Sequence, residues 1–218
     1  MKSLLSLTVL LAAGLVRAAL ADTQTVAIVT AAPPGPTGSA VFVFAPGHVR
    51  LTVPAYWTVV PEQSLLKYLD TLRNSMPGRA VPNYVLALQR KALFDFALPY
   101  VLIELNPGPA PTRAQVEGEL LGFQTSIGLA YSALHRAGKF GEVHVQPAIY
   151  DETRHVVIGR YSLVRGEDKR RLACVTAIFP YREGFLRLHG FMRFEDQEKY
   201  VPVVEELIAS VQDRKSVV

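Results

Sequence analysis

The sequence predicts an α+β fold in which an antiparallel β-sheet is flanked by helices. Three observations carry this. Short β-branched and aromatic runs separated by turn residues recur from residue 41 to residue 105. Two long stretches with helical spacing interrupt them. Four further strand-like runs then follow one another across short polar turns and end in a last helix. Runs joined by tight turns pair antiparallel, whereas a doubly wound sheet alternates strand and helix throughout.

The elements are legible in order. Val41 to Phe44 and Val49 to Val53 flank Pro46-Gly47, a hairpin signal. Trp57 to Val60 continues as a short strand. Pro61 opens a helix, because a first turn accepts a residue without an N–H. Leu65, Leu66, Leu69 and Leu72 fall on its inner face, and Met76-Pro77-Gly78 ends it. Tyr84 to Arg90 and Tyr100 to Leu105 read as strands, the second broken by the prolines after Asn106. Thr112 and Gln115 form a capping box at the head of the longest helix. Its apolar stripe is Val116, Leu120, Phe123, Ile127, Ala130 and Leu134, and Gly138 stops it. Gly118 and Gly122 lie beside that stripe and are assigned to a close backbone contact within the domain. Strands at about 142–150, 154–164, 170–180 and 185–194 form an antiparallel meander. A last helix over about 197–212 turns Tyr200, Val203, Val204, Leu207 and Val211 inward, with Pro202 in its first turn.

The first residues have the composition of an export signal. Met1-Lys2-Ser3 is a short basic start, Leu4 to Val16 an apolar run, and Ala19-Leu20-Ala21 a small-x-small cleavage site. The apolar run is shorter than the roughly 20 residues that span a bilayer. Cleavage after Ala21 is expected; an uncleaved anchor is the alternative, since Arg17 sits close to the cut. The expected organisation is a signal peptide at 1–21, an arm at 22–40, one domain at 41–213 and a tail at 214–218. Cys174 is the only cysteine, so no internal disulfide forms, and its apolar surroundings mark a buried, inert thiol. With no Asn-x-Ser/Thr sequon either, the expectation is a periplasmic or secreted bacterial protein. The net charge of +4 falls by two when Lys2 and Arg17 leave, too near neutral to argue for nucleic acid. No second apolar run reaches membrane length.

Motifs for chemistry are absent from the sequence. It contains no glycine-rich phosphate loop, no G-x-S-x-G elbow and no paired metal-ligand spacing among His48, His135, His144, His155 and His189. No catalytic residue, metal ligand or cofactor is therefore assigned. Glu117 with Glu119, and Glu205 with Glu206, read as solubilising charges on helices. One basic stretch stands out. Period two puts Arg187, His189 and Arg193 on one sheet face with Phe185 and Phe191, and Lys169-Arg170-Arg171 lies in the preceding turn. Rings with guanidinium groups can hold an anion. The competing reading is a sheet face covered by a helix, with arginines at its rim.

The segment from Val49 through Pro54-Ala55-Tyr56-Trp57 to Val59 resembles the opening of the PsbP-like fold, shared with the Ran-binding Mog proteins. There proline turns the chain and tryptophan packs under the sheet. The stretch from Phe194 through Tyr200 to Val211 resembles that fold's closing helix. The resemblance covers about residues 40–213 and implies an α-β-α sandwich. It also implies a non-enzymatic binding or assembly role. The functional expectation is an exported binding or accessory protein of the bacterial cell envelope, partnered by another envelope protein. Two alternatives stay open: an enzyme of unrecognised class whose site is assembled from loops, and a peripheral binder of anionic lipid or glycan. A deep pocket lined by convergent polar groups would favour the enzyme, and a flat exposed apolar patch a protein partner.

Overall fold

A computed structural model describes residues 30–32, 39–44, 49–75, 81–90, 92–136, 140–166 and 168–213. The expected signal peptide with Ala21, most of the arm, the Pro46-Gly47 turn, His48, Gly138 and the tail lie outside them.

Two antiparallel sheets form. The smaller has the order β1-β2-β3-β12, built from β1 (Thr30–Ala32), β2 (Ala40–Phe44), β3 (Val49–Val53) and β12 (Val211–Asp213). The larger has the order β4-β5-β6-β11-β10-β9-β7. Its strands are β4 (Trp57–Val59), β5 (Tyr84–Arg90), β6 (Tyr100–Pro107), β7 (Phe140–Val145), β9 (Val156–Arg165), β10 (Arg171–Tyr181) and β11 (Gly184–Arg193). A short β8 (Ile149–Asp151) also pairs with β9. Among the described residues the helices are α1 (Glu62–Ser75), α2 (Arg113–Arg136) and α3 (Gln197–Ala209), the last behind a 3₁₀ turn at Phe194–Asp196.

The large sheet is covered on both faces. Helices α1 and α2 pack over Ala87, Leu102, Cys174, Ile178 and Phe191. The small sheet and α3 pack over Leu88, Ile103, Val175, Leu188 and Met192. Residues 172–179 of β10 are therefore an unbroken buried run, and a strand buried on both faces needs apolar side chains at successive positions. The Pro54–Trp57 turn behaves as its resemblance implied. The Trp57 amide donates to the Pro54 carbonyl at 3.0 Å, and the indole is buried in the core between the sheets. The capping box is also present: the Thr112 amide donates to the Gln115 side chain at 2.8 Å, and the Gln115 amide to the Thr112 hydroxyl at 3.3 Å.

Two glycines set how closely the helices approach. A Cβ built at Gly159 on β9 would lie 2.1 Å from the Phe123 ring of α2. One at Gly190 on β11 would lie 2.7 Å from Val204 of α3. Each helix thus drops one side chain into a gap that only glycine leaves.

Several expectations need correction. Leu66 is 53% exposed, because the inward face of α1 runs through Leu65, Tyr68 and Leu69. Strand β6 continues to Pro107, where its end pairs with Gly184. The strand expected at 142–150 is two pieces, β7 and β8, both on β9. Helix α3 stops at Ala209, and Val211 begins a strand because β3 offers it an open edge. Pro202 lies inside α3 beyond the first turn. Ala130 is exposed, and the side chain of Leu134 is outside the described residues. A Cβ at Gly118 would meet nothing within 4 Å, and one at Gly122 only Ser126 of the same helix, so neither glycine serves a contact inside the domain.

Replacing Gly159 by alanine drives Phe123 out of its seat. The expected loss is about 2 kcal/mol of unfolding free energy, the usual scale of overpacking. Urea unfolding measures it, and an unchanged midpoint would show that α2 does not dock through this contact.

Candidate functional site

The densest polar cluster lies under α2, on the helix-covered face of the large sheet. Alternation along β11 turns Arg187 and His189 to this face with Phe185 and Phe191. Register puts Arg187 opposite Glu104 of β6 and His189 opposite Thr176 of β10. Glu104 Oε2 lies 3.1 Å from His189 Nε2, and Thr176 Oγ1 lies 3.2 Å from His189 Nδ1. Arg187 Nη1 is 3.7 Å from Glu104, and Arg187 Nη2 donates to Glu119 of α2 at 2.7 Å. Tyr84 meets the His189 ring edge-on, with centroids 5.9 Å apart.

Burial alone would raise the Glu104 carboxyl. The His189 hydrogen bond and the charges of His189 and Arg187 outweigh it and hold the group at about 2. An ionised carboxylate only accepts, so His189 Nε2 carries the proton toward it. The Thr176 hydroxyl is the partner of the other ring nitrogen, Nδ1. The order hydroxyl, imidazole, carboxylate is that of a hydrolytic triad. Here it is sealed. Thr176 is 2% exposed, and Gly159, its neighbour across the ladder, lies directly beneath the Phe123 ring. The cluster acts as a tie between α2 and the sheet.

The residues proposed as an anion-binding face are not brought together. Arg187 and His189 are covered and face carboxylates, whereas Arg193 is exposed at the strand end. Arg170 pairs with Asp168 at 3.2 Å, and Lys169 is exposed in the turn. Arg171 lies on the opposite face, bonded to Ser162 at 3.1 Å and stacked 3.7 Å over Phe194. It borders a cleft of about 270 Å³ beside α3, together with Arg160, His144 and Gln197. The alternative of a helix-covered face with arginines at its rim describes β11 better, because α2 supplies the covering layer and Glu119.

The other candidates are dispersed. His135 Nδ1 meets the Phe140 carbonyl at 3.0 Å, His144 lies 3.5 Å from Glu142, and His155 Nδ1 is 3.2 Å from the Tyr150 hydroxyl. His144 faces Ser162 across the ladder. Among the described residues no three His, Cys, Asp or Glu side chains gather as metal ligands. Cys174 is buried, and burial pushes its thiol up. Among the described residues no helix is long and apolar enough to cross a membrane.

Sequence reasoning missed Glu104 and Thr176, whose roles depend on which strands become neighbours, and it read Glu119, Glu205 and Glu206 as solubilising charges, whereas they accept from Arg187, Arg160 and Tyr56. It also missed an exposed apolar surface on the helical layer. Leu121 of α2 is 82% exposed and Leu129 61%. Phe94 is 69% exposed, and Leu93 stands beside it in the loop that packs Phe96 against Tyr68 of α1. The clue was present, because no charged residue occurs from Leu120 to Leu134.

Glu104→Gln removes the carboxylate that bonds His189 and faces the Arg187 guanidinium. The expected loss is about 3 kcal/mol at neutral pH. The native carboxyl sits below its unfolded value of about 4.3, so its contribution is complete above that value. It disappears as pH falls toward about 2. Urea titrations across this window test it: the variant's stability should fall less steeply with acid, and parallel profiles would exclude the role.

No protein-family profile and no curated protein matches the chain in sequence. Solved structures do match it. The cyanobacterial PsbP protein CyanoP from Synechocystis sp. PCC 6803 superposes with a TM-score of 0.54 at 9% identity, covering 85% of this chain and 98% of that one. The Saccharomyces cerevisiae Ran-binding protein Mog1p gives 0.42 at 5% identity, covering 81% and 96%. The likeness to CyanoP carries the fold assignment, and it agrees with the element order and the Pro54–Trp57 turn. The chain has the PsbP-like α+β fold.

Proposed function

We propose that this protein is an exported, non-enzymatic binding or accessory protein of the cell envelope, and that its helical layer receives another envelope protein. The observation that carries the reading is the set of large apolar side chains exposed on that layer: Leu66, Leu93, Phe94, Leu121 and Leu129. Exposed apolar side chains gathered on one layer mark a contact surface for another polypeptide. The side chains with the richest chemistry are spent under α2, where Thr176 and Glu104 are buried. CyanoP is a PsbP protein and Mog1p is a Ran-binding protein. Export rests on the N-terminal composition, with cleavage after Ala21 and a periplasmic or secreted destination.

The test is in-cell crosslinking of the chain in its own envelope fraction, with mass spectrometry of the adducts and of the chain's own N-terminus. The expected results are one dominant envelope adduct, weakened several-fold by Phe94→Asp, and an N-terminus at Asp22. Recovery from the cytoplasm with Met1 retained would exclude export. No adduct under any growth condition would exclude the accessory role.

A further inference from the structure

We infer that the outer face of α2 is a two-fold contact on which a second copy of this chain packs antiparallel, with the axis at Thr125. Helix α2 has a core-facing side, with Val116, Leu120, Phe123 and Ile127, and a side turned away from the sheet. The outward side has an order that is nearly the same from either end. Gly122 and Gly128 stand three residues either side of Thr125. Leu121 and Leu129 stand four residues away, and Gly118 and Ser132 seven. A two-fold axis across a helix exchanges its N- and C-terminal directions. A self-complementary surface must therefore repeat its chemistry at equal distances from the axis. This face does so at two pairs of positions, and at a third, Gly118 and Ser132, it repeats small size.

The residue types suit the contact. At Thr125 the helices cross, with Gly122 of each level with Gly128 of the other. A Cβ at Gly118 or Gly128 would meet nothing within 4 Å, so the domain's own packing does not account for these glycines. A flat glycine-lined crossing lets two backbones approach closely. Leu121 of each copy then lies beside Leu129 of the other, which covers the two exposed large apolar side chains of the helix. Charge agrees with the direction. His135 and Arg136 lie in the last turn, and Glu117 lies near the first. Antiparallel pairing brings Arg136 of one copy within a turn of the Arg113–Glu117 ion pair of the other and opposes the helix dipoles. A parallel pair would stack Arg136 against Arg136.

The contact takes Leu121 and Leu129 from the apolar set named for an envelope partner and leaves Leu66, Leu93 and Phe94 exposed for it, so the two readings are tested separately. The chain, purified as its host processes it, should sediment at twice the chain mass. Leu121→Asp, at an exposed position, should give a monomer with an unchanged circular dichroism spectrum. Thr125→Cys should form a covalent dimer on oxidation or with a short bismaleimide, because the only native cysteine, Cys174, is buried. A monomer at every concentration overturns the inference, as does a dimer that survives Leu121→Asp or a Thr125→Cys protein that does not crosslink to itself. If the dimer forms and no envelope adduct is found, the accessory role fails and the two-fold contact stands.

Discussion

The central strands of the large sheet are buried on both faces, and the remaining architecture answers that constraint. From residue 172 to residue 179 every side chain of β10 is buried, whichever face it points to. Neighbouring β6 and β11 carry buried side chains on both faces as well, such as Leu102 and Ile103, and Phe185 and Leu186. Such a sheet needs two covering layers. Helices α1 and α2 form one, and the small sheet with α3 forms the other. The close approaches at Gly159 and Gly190 let Phe123 and Val204 reach the strands without a gap. Dispersion contacts weaken quickly once surfaces separate, so these two seats fix the depth of both layers.

The same constraint explains the charges under α2. Glu104, Arg187 and His189 occupy ladder positions that the helical layer covers. An unpaired charge there would cost several kcal/mol, whereas a paired one comes nearer to break-even. Glu104 accepts from His189 and faces Arg187, and Arg187 also reaches Glu119. The last bond joins helix to sheet. Apolar packing leaves a helix some freedom to slide, and a charge-assisted bond with defined geometry removes part of it. The arrangement imitates a catalytic triad in atom order, but its place beneath Phe123 makes it a positioning device.

Helix α2 therefore has two distinct sides. Its inner side is fixed by Phe123 and Glu119. Its outer side carries leucine, glycine and hydroxyl residues without a charge from Leu120 to Leu134. A helix that is apolar all round is ordinarily buried all round. Here the domain covers one side only, and the other is the side on which we infer the two-fold contact. Glycines on that side weaken an isolated helix by about 1 kcal/mol each relative to alanine. Their presence where the domain makes no use of them is the reason to look for a contact outside it.

The sequence by itself determined the local events. Pro54-Ala55-Tyr56-Trp57 specifies a turn into a buried indole, Thr112 with Gln115 specifies a helix start, and period-two alternation specifies which residues of β11 share a face. These rest on interactions within a few residues, so spacing alone reveals them. The α+β class and the PsbP-like resemblance followed from the order of such elements. Tertiary structure decided what depends on neighbours far apart in the chain. Arg187 could be read as an anion ligand until β6 placed Glu104 opposite it and α2 lowered Glu119 onto it. Val211 could be read as helical until β3 offered it an edge. Gly118 and Gly122 could be read as an internal contact until the fold turned them outward. A side chain's partner in a sheet is chosen by strand order, and strand order is set by burial of the whole core, which no local spacing records.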